Sequence, residues 1–476
     1  MSETTGQIQT GAAAASDTSA QISGKQVARV IDMTGVTGTT KLLVFAGCLG
    51  YLFDAFDNYI LGFVMPLVTR DFNFSPVMKG FILSSALWGG VIGMWLWGIA
   101  AEQKGRRFAF QGTLLMYTLF CGLTAFVQSP LQMTFTRIIT GMGLAGFMPV
   151  DLTIVSEMTP TKVRGKLTGS TSLMFPVGTL VAAVTALLLS QKLGWRGMFL
   201  LGILPAFVAY IIRRCVPESP RWLASKGRFG EAEDALLKIG ASRENIAEAR
   251  KTIPFENASG PDDVKAKYRE LFSRKWLTRN MVAWLLWIAP NSVNLAVNLW
   301  LPSYLMMIYH FSLKKSLAYT VANIAVGVIG RTLGVLLVDK LGRKPIVIST
   351  LTVGALSLIA AAFVTTPEQL IYCIGIYTFF VDAGIVVAVT FVPELFPTRI
   401  RAIASSVAAS SSRFTGAMAP ILIGVLVGMQ LHRFVWIVFA IALALCVVVT
   451  AVFAPETKGR TLEELDMNDA APSCRR

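Results

Sequence analysis

The chain is 476 residues long, 54% hydrophobic and only 15% charged, with a formal net charge of +15. Soluble domains usually carry about 25% charged residues, and a water-soluble protein this apolar would expose large patches and aggregate, which argues against a large cytosolic enzyme. The positive balance does not point to nucleic acid, because Lys and Arg cluster in short segments between apolar runs and not on one face of a polar domain.

Residues 1–40 are rich in Ser, Thr, Ala and Gly and lack the basic start and apolar core of a signal peptide, so a disordered cytoplasmic tail is expected. Apolar runs long enough to cross a bilayer then follow at 42–68, 79–101, 108–128, 131–156, 167–191 and 195–216. A charged segment, 217–277, reads as a cytoplasmic loop of short amphipathic helices, for example Arg228 to Ile239. Six more runs lie at 279–308, 315–338, 345–365, 369–393, 402–428 and 433–454, before a polar tail at 455–476. The expected fold is an all-α membrane protein of twelve transmembrane helices in two pseudo-symmetric six-helix bundles, 41–216 and 278–454. The basic loops after spans two, four and eight place those loops, and with an even span count both termini, in the cytoplasm.

Charged motifs recur between the halves. Glu102-x-x-Gly105-Arg106-Arg107 returns as Asp339-x-x-Gly342-Arg343-Lys344, a shift of 237 (342 − 105). Glu157-x-x-Pro160-Thr161-x-Val163-Arg164 returns at the same shift as Glu394-x-x-Pro397-Thr398-x-Ile400-Arg401, and Pro217-Glu218-Ser219 returns as Pro455-Glu456-Thr457. Internal repeats of this kind suit a transporter in which two bundles rock about a central site. The stretches GIAAEQKGRR (98–107), VPESPRWL (216–223), PELFPTRIRA (393–402) and APETKGRTLEEL (454–465) resemble the major facilitator superfamily. The likeness is to the branch holding bacterial metabolite:proton and aromatic acid:proton symporters, sugar porters and animal organic-ion transporters. The resemblance implies that Glu102, Gly105, Arg106, Arg107, Glu157 and Arg164, with Asp339, Gly342, Arg343, Glu394 and Arg401, form a cytoplasmic gate. Glu102 stands where the family usually has Asp.

Asp54 and Asp57 lie inside the first apolar run. Two ionised, unpaired carboxylates at a helix centre would cost about 5–7 kcal/mol. Three residues apart, they share a helix face, and neighbouring buried carboxylates suit uptake and release of a proton. The resemblance supports this, since aromatic acid symporters carry Asp-Gly-aromatic-Asp in the first span, and this chain reads Asp54-Ala55-Phe56-Asp57. At the equivalent place in the second half, Asn291, Asn294 and Asn298 form a polar stripe suited to a ligand or to helix–helix hydrogen bonds. Arg413 lies mid-span and needs an anion or a wet cavity. In the related organic-ion transporters that position resembles a substrate-charge selector, which makes an organic anion the leading substrate class; an internal pair with Asp382 or a first-span aspartate is the alternative. Arg137 and Asp151 on span four can each line the path, Arg137 being near enough to the outer end to snorkel, and Arg331 near the cytoplasmic end of span eight is read as snorkelling.

The two histidines, His310 and His432, are far apart, and the six cysteines form no CxxC pair, so no metal, cofactor or catalytic cluster is expected. The spacing Gly141-x-Gly143-x-x-Gly146 matches a dinucleotide pattern but sits in an apolar helix, where close packing explains it. The expected function is proton-coupled uptake of a small organic acid, aromatic acids among the candidates, by a monomer in a bacterial inner membrane. A sugar or polyol:proton symporter is the alternative; a drug exporter or a non-transporting receptor fits less well.

Overall fold

The computed structural model describes residues 22–204, 216–255 and 268–457, and every regular element among them is helical. Each helix stops where the local chemistry ends it. α1 (Gly24–Thr34), α2 (Gly38–Phe72), α3 (Pro76–Lys104), α4 (Arg106–Thr124), α5 (Pro130–Glu157) and α6 (Thr161–Leu201) make up the first part. α7 (Pro220–Ser225), α8 (Phe229–Ile239) and α9 (Arg243–Thr252) follow, and then α10 (Leu277–Tyr309), α11 (Leu313–Leu341), α12 (Arg343–Phe363), α13 (Pro367–Glu394), α14 (Thr398–Gly428) and α15 (His432–Phe453). At one end of the bundle α3, α5 and α13 begin with Ser75-Pro76, Ser129-Pro130 and Thr366-Pro367. In each the hydroxyl accepts a backbone N–H of the first turn, and Pro fills a position whose N–H has no helical partner. At the other end, which carries the basic loops, α3 passes to α4 through Gly105 (φ +108°) and α11 passes to α12 through Gly342 (φ +97°). Both conformations are strained for any residue with a Cβ.

Ten helices among the described residues are long and apolar enough to cross a membrane. α4, richer in polar residues, occupies the third span without meeting that measure. α6 carries the fifth span and, past a break at Gly194 (φ 64°, ψ 179°), the start of the sixth; residues 205–215 of the sixth run lie outside the described residues. The chain is an integral, multi-pass membrane protein.

Packing repeats the sequence symmetry. α2 lies on α6 and α3 on α5 in the first half, as α10 lies on α14 and α11 on α13 in the second. The halves meet through α3 and α14, α2 and α10, and α6 and α11. Their close approaches cluster away from the basic loops: a Cβ on Gly80 would stand 2.7 Å from the Pro420 carbonyl oxygen, and one on Gly424 would stand 2.5 Å from that of Pro76. The Lys79 Nζ reaches the Met307 Sδ at 3.1 Å on the same side.

The glycine run on α5 serves packing, as its sequence context suggested. A Cβ on Gly141 would lie 1.8 Å from the Ala86 carbonyl oxygen, one on Gly143 would lie 2.6 Å from the Tyr117 amide, and one on Gly146 would enter the Trp97 ring. α5 therefore sits wedged between α3 and α4 with its backbone against theirs.

The disordered tail expected over residues 1–40 does not hold for residues 24–34, which form α1; residues 1–21 lie outside the described residues. The physical reason is a capping box at Ser23 and Gln26 and an apolar face whose Val27, Val30 and Ile31 pack on Trp222, Leu236 and Ile246 in a second small core with α7, α8 and α9. Asp32 in turn accepts hydrogen bonds from the Thr161 N–H (2.5 Å) and hydroxyl (2.9 Å) at the start of α6.

Gly141→Val is expected to destabilise the bundle by about 1–3 kcal/mol through overpacking, while Gly98→Ala, at a position with open space, leaves it unchanged. Thermal unfolding of the two variants in detergent checks the contrast.

Candidate functional site

Asp54 and Asp57 are both buried, yet they do not act on one another as a simple pair. Asp57 faces the interior of the first half. Its carboxylate takes both arms of the Arg137 guanidinium, Nη1 to Oδ1 at 3.0 Å and Nη2 to Oδ2 at 2.8 Å, and the Cys121 thiol points at Oδ1 at 3.0 Å. The Phe199 ring lies 5.4 Å from the guanidinium carbon. Fork-shaped pairing of this kind is the strongest form of a charge-assisted hydrogen bond, and it corrects the reading of Arg137 as a snorkelling or path-lining residue: the side chain has no exposure. Asp54 accepts instead from Asn58 Nδ2, one turn on, at 3.0 Å. It also feels the charge of Arg413 on α14 in the other half.

The second half supplies a further acid–base pair. Asp382 on α13 accepts from Arg331 Nε on α11 at 2.6 Å, so Arg331 does not snorkel, and Asp382 pairs with it and not with Arg413. Eleven residues separate Arg331 from the Gly342 turn, roughly 16 Å along a helix, too deep for an easy reach to the headgroups. Asn294 Nδ2 donates to the other Asp382 oxygen at 3.4 Å, and Asn298 Nδ2 donates to Asn294 Oδ1 at 3.1 Å.

These groups line a narrow cleft between the halves. Tyr59, Phe175, Pro176 and Thr179 form one wall; Asn294, Asn298, Arg331 and Asp382 form the other. Its volume of about 20 Å³ is room for a single water, so the halves stand nearly closed on one another here. The structure thus brings Asp382, Asn294 and Asn298 together and adds Arg331 and Tyr59. Asn291 stays apart, its amide bonded to the Trp287 carbonyl of its own helix at 2.9 Å. Asp151 is also apart, fully buried against Gly47 of α2 with neither carboxyl oxygen hydrogen-bonded among the described residues.

At the basic-loop end the repeated motifs hold each half to itself. Arg106 pairs with Glu157 at 3.7 Å and Arg343 with Glu394 at 3.3 Å, both within one half. Arg164 turns to the Thr159 carbonyl and the Thr161 hydroxyl and Arg401 to the Phe396 carbonyl. Glu102 is exposed, and its longer arm finds no ion partner among the described residues; the side chain of Asp339 lies outside them. The repeated Pro-Glu motif has a role that its charge alone did not suggest. Glu218 accepts from the backbone N–H groups of Arg106 (2.9 Å), Arg107 (3.0 Å) and Ser219 (2.9 Å). Glu456 does the same for Arg343 (3.3 Å), Lys344 (3.2 Å) and Thr457 (3.0 Å). Each carboxylate caps a helix N-terminus, where four amides lack partners and the dipole favours an anion. A Cβ on Gly105 would come within 2.1 Å of Glu218, so the glycine clears the carboxylate's seat. Burial pushes the Glu218 carboxyl above its ordinary range despite those amide bonds.

Sequence reasoning missed Tyr59, Asn58 and Cys121 as neighbours of the buried acids. Tyr59 reads as one more apolar aromatic, and only the helix packing shows it in the cleft with Arg331 and Asp382. Arg331 could have been found from its depth.

A sequence profile described as "Sugar (and other) transporter" matches residues 19–468. The niacin transporter of Acinetobacter baylyi is 30% identical over 88% of this chain and 94% of its own length. The cis,cis-muconate transport protein of the same organism is 28% identical over 88% and 95%, and the arabinose-proton symporter of Bacillus subtilis 26% over 90% and 95%. Among solved structures, the xylose transporter of E. coli in its inward open conformation superposes with a TM-score of 0.73 at 21% identity, covering 90% of this chain and 99% of that one.

Removing the charge of Asp57 strands a guanidinium that cannot lose its proton. Asp57→Asn is expected to cost about 3–5 kcal/mol, and the double variant Asp57→Asn/Arg137→Gln to recover most of that loss. Thermal unfolding of the single and double variants in detergent reads both effects.

Proposed function

Because the chain belongs to the sugar (and other) transporter family, and so is a transporter and not an enzyme, we propose that it takes up a small organic acid together with protons by alternating access. The observation that carries this reading is Arg331, bonded to Asp382 in the wall of the cleft between the halves, together with Arg413, whose charge acts on Asp54 from the second half. A guanidinium already paired with a side-chain carboxylate can be handed to a substrate carboxylate once the first acid takes up a proton. The exchange keeps the buried charge matched at every step, which a low-dielectric site demands. Asp54 and Asp57 are the coupling acids in this scheme. Protonation of Asp54 frees the Arg413 charge for a substrate carboxylate, and Asp57 takes part through its pairing with Arg137, which stays matched throughout. Asn294 and Asn298 supply neutral hydrogen bonds to the rest of the ligand, as amides in a pocket do.

The close contacts between the halves on the side away from the basic loops support a state closed to the outside. The basic-loop end faces the cytoplasm in this reading, with both termini there, the protein acting as a monomer in an inner membrane and binding neither nucleic acid nor cofactor. Niacin and muconate, named for two relatives, are carboxylic acids, which favours an anion. The sugars named for other relatives and the Asn294–Asn298 amides support a second reading, a sugar or polyol:proton symporter.

Reconstituted in liposomes, the protein is expected to accumulate radiolabelled nicotinate or benzoate when the outside is more acidic than the inside, and to stop when the gradient is collapsed. Uptake indifferent to the gradient rules out coupling, and competition by arabinose but not by benzoate turns the assignment to the sugar reading. Arg331→Gln and Arg413→Gln, each removing a charged hydrogen bond of about 1.5–3 kcal/mol, are expected to lower uptake at subsaturating substrate roughly 10- to 150-fold. Asp54→Asn is expected to retain exchange of substrate but lose gradient-driven accumulation.

A further inference from the structure

Lys79 is a cation buried without an anion. It is 4% exposed, in the first turn of α3. Among the described residues its Nζ meets only the Met307 Sδ of α10, at 3.1 Å. An ammonium has three donors and a thioether is a weak acceptor, and the first turn of a helix disfavours a cation. The charge is therefore poorly answered where it stands. The place is the seam between the halves: Gly80, the next residue, lies against the Pro420 backbone of α14. Arg413 is seven residues back along α14, roughly 10 Å along the axis. Lys79 thus sits outward of the charges assigned to the substrate, on the side away from the basic loops. The seam that covers it is the one that has to part for a ligand to enter from that side.

The surface at this end of the bundle is positive. Arg70, Lys192, Arg196, Lys314, Lys315 and Arg433 are exposed there, against two acids, Asp71 and Glu368. Asp71 is already engaged by Arg196 at 3.5 Å and by Arg70 at 4.0 Å. A surplus of Lys and Arg is usual on the cytoplasmic side of a membrane protein and not on the other, so topology does not account for it. Surface charge of one sign gathers the opposite ion and speeds its arrival, by about 10- to 1,000-fold where the field is focused.

We propose that Lys79 is an anion-capture site at the outer entrance. When the halves part away from the basic loops, its ammonium meets a substrate carboxylate drawn in by the positive rim, and the carboxylate then moves inward to Arg413. When the halves close again, Lys79 returns to Met307. A thioether suits this role, because it holds the ammonium weakly, where an aspartate in its place would pair with it and compete with the ligand. The proposal rests on the organic-acid reading and its orientation, and adds the residue and the surface that recruit the anion.

The test follows radiolabelled nicotinate into liposomes holding the full chain, under one fixed proton gradient, at about 0.01 M and about 0.1 M salt, between which the screening length falls from about 30 to about 10 Å. Wild-type uptake at subsaturating nicotinate is expected to fall about threefold or more with the added salt. Lys79→Met keeps an unbranched chain in the same space without the charge. It is expected to lower subsaturating uptake about tenfold or more, the worth of a charged hydrogen bond, with the saturated rate within about twofold of wild type and a melting temperature no lower. Lys314→Glu/Lys315→Glu places acids in the first turn of α11, where a helix N-terminus accepts them. It is expected to lower low-salt uptake about threefold and to flatten the salt dependence. Uptake insensitive to salt, or unchanged by Lys79→Met, overturns capture at Lys79 while the organic-acid reading stands. A Lys79→Met variant that melts lower, or that loses saturated and subsaturating rates equally, assigns the residue to packing and also overturns it. Nicotinate and benzoate both left outside at either salt, with arabinose carried, overturns the organic-acid reading and this proposal together.

Discussion

An arginine buried among apolar helices cannot give up its proton, so its charge must be matched wherever the helices go. That constraint orders the middle of this protein. Arg137 fixes Asp57 and with it the register of α2 against α5; Arg331 fixes Asp382 and the register of α11 against α13. Both are charged ties between helices of one half. Each half is thereby stiff in itself, while the charge of Arg413 acts on Asp54 from the other half. Rigid halves that feel one another's charge are what a rocking motion needs.

The packing supports the same division. Within a half, glycine lets backbone lie on backbone, as Gly141 does on Ala86, and such contacts tolerate little sliding; between the halves the like contacts at Gly80 and Gly424 cluster on the side away from the basic loops. The repeated carboxylate caps, Glu218 and Glu456, tie the loop that leaves each half back to the turn between its second and third helices. The charged contacts described for these motifs therefore run within each half.

The helix count, the two-fold repeat and the acids Asp54, Asp57 and Asp382 were legible in the sequence, because a carboxylate in an apolar run is conspicuous and a repeated charged motif is hard to produce by accident. Partners were not. Asp57 and Arg137 lie 80 residues apart, and periodicity says which face a residue takes but not which helix lies opposite. That gap led Arg137 and Arg331 toward the headgroups in the sequence reading and left Arg413 open to Asp382. Asn291 shares a stripe with Asn294 and Asn298 on paper, yet bonds to its own backbone; an amide one turn from the cleft has that option and takes it. Residues 24–34 looked like tail because their polar composition hid a short apolar face that only the loop helices could cover.

That first helix has a practical bearing. Its Gln26 holds the carbonyl of Ile253 in the loop (2.8 Å) and its Asp32 holds the start of the fifth span, so three distant parts of the chain are stitched together within one short run. A purification tag or fluorescent protein spliced directly ahead of Ile22 would hang its bulk on that stitching and tug at the span beneath it. A fusion partner set on the other terminus, beyond Thr457, leaves the stitch alone.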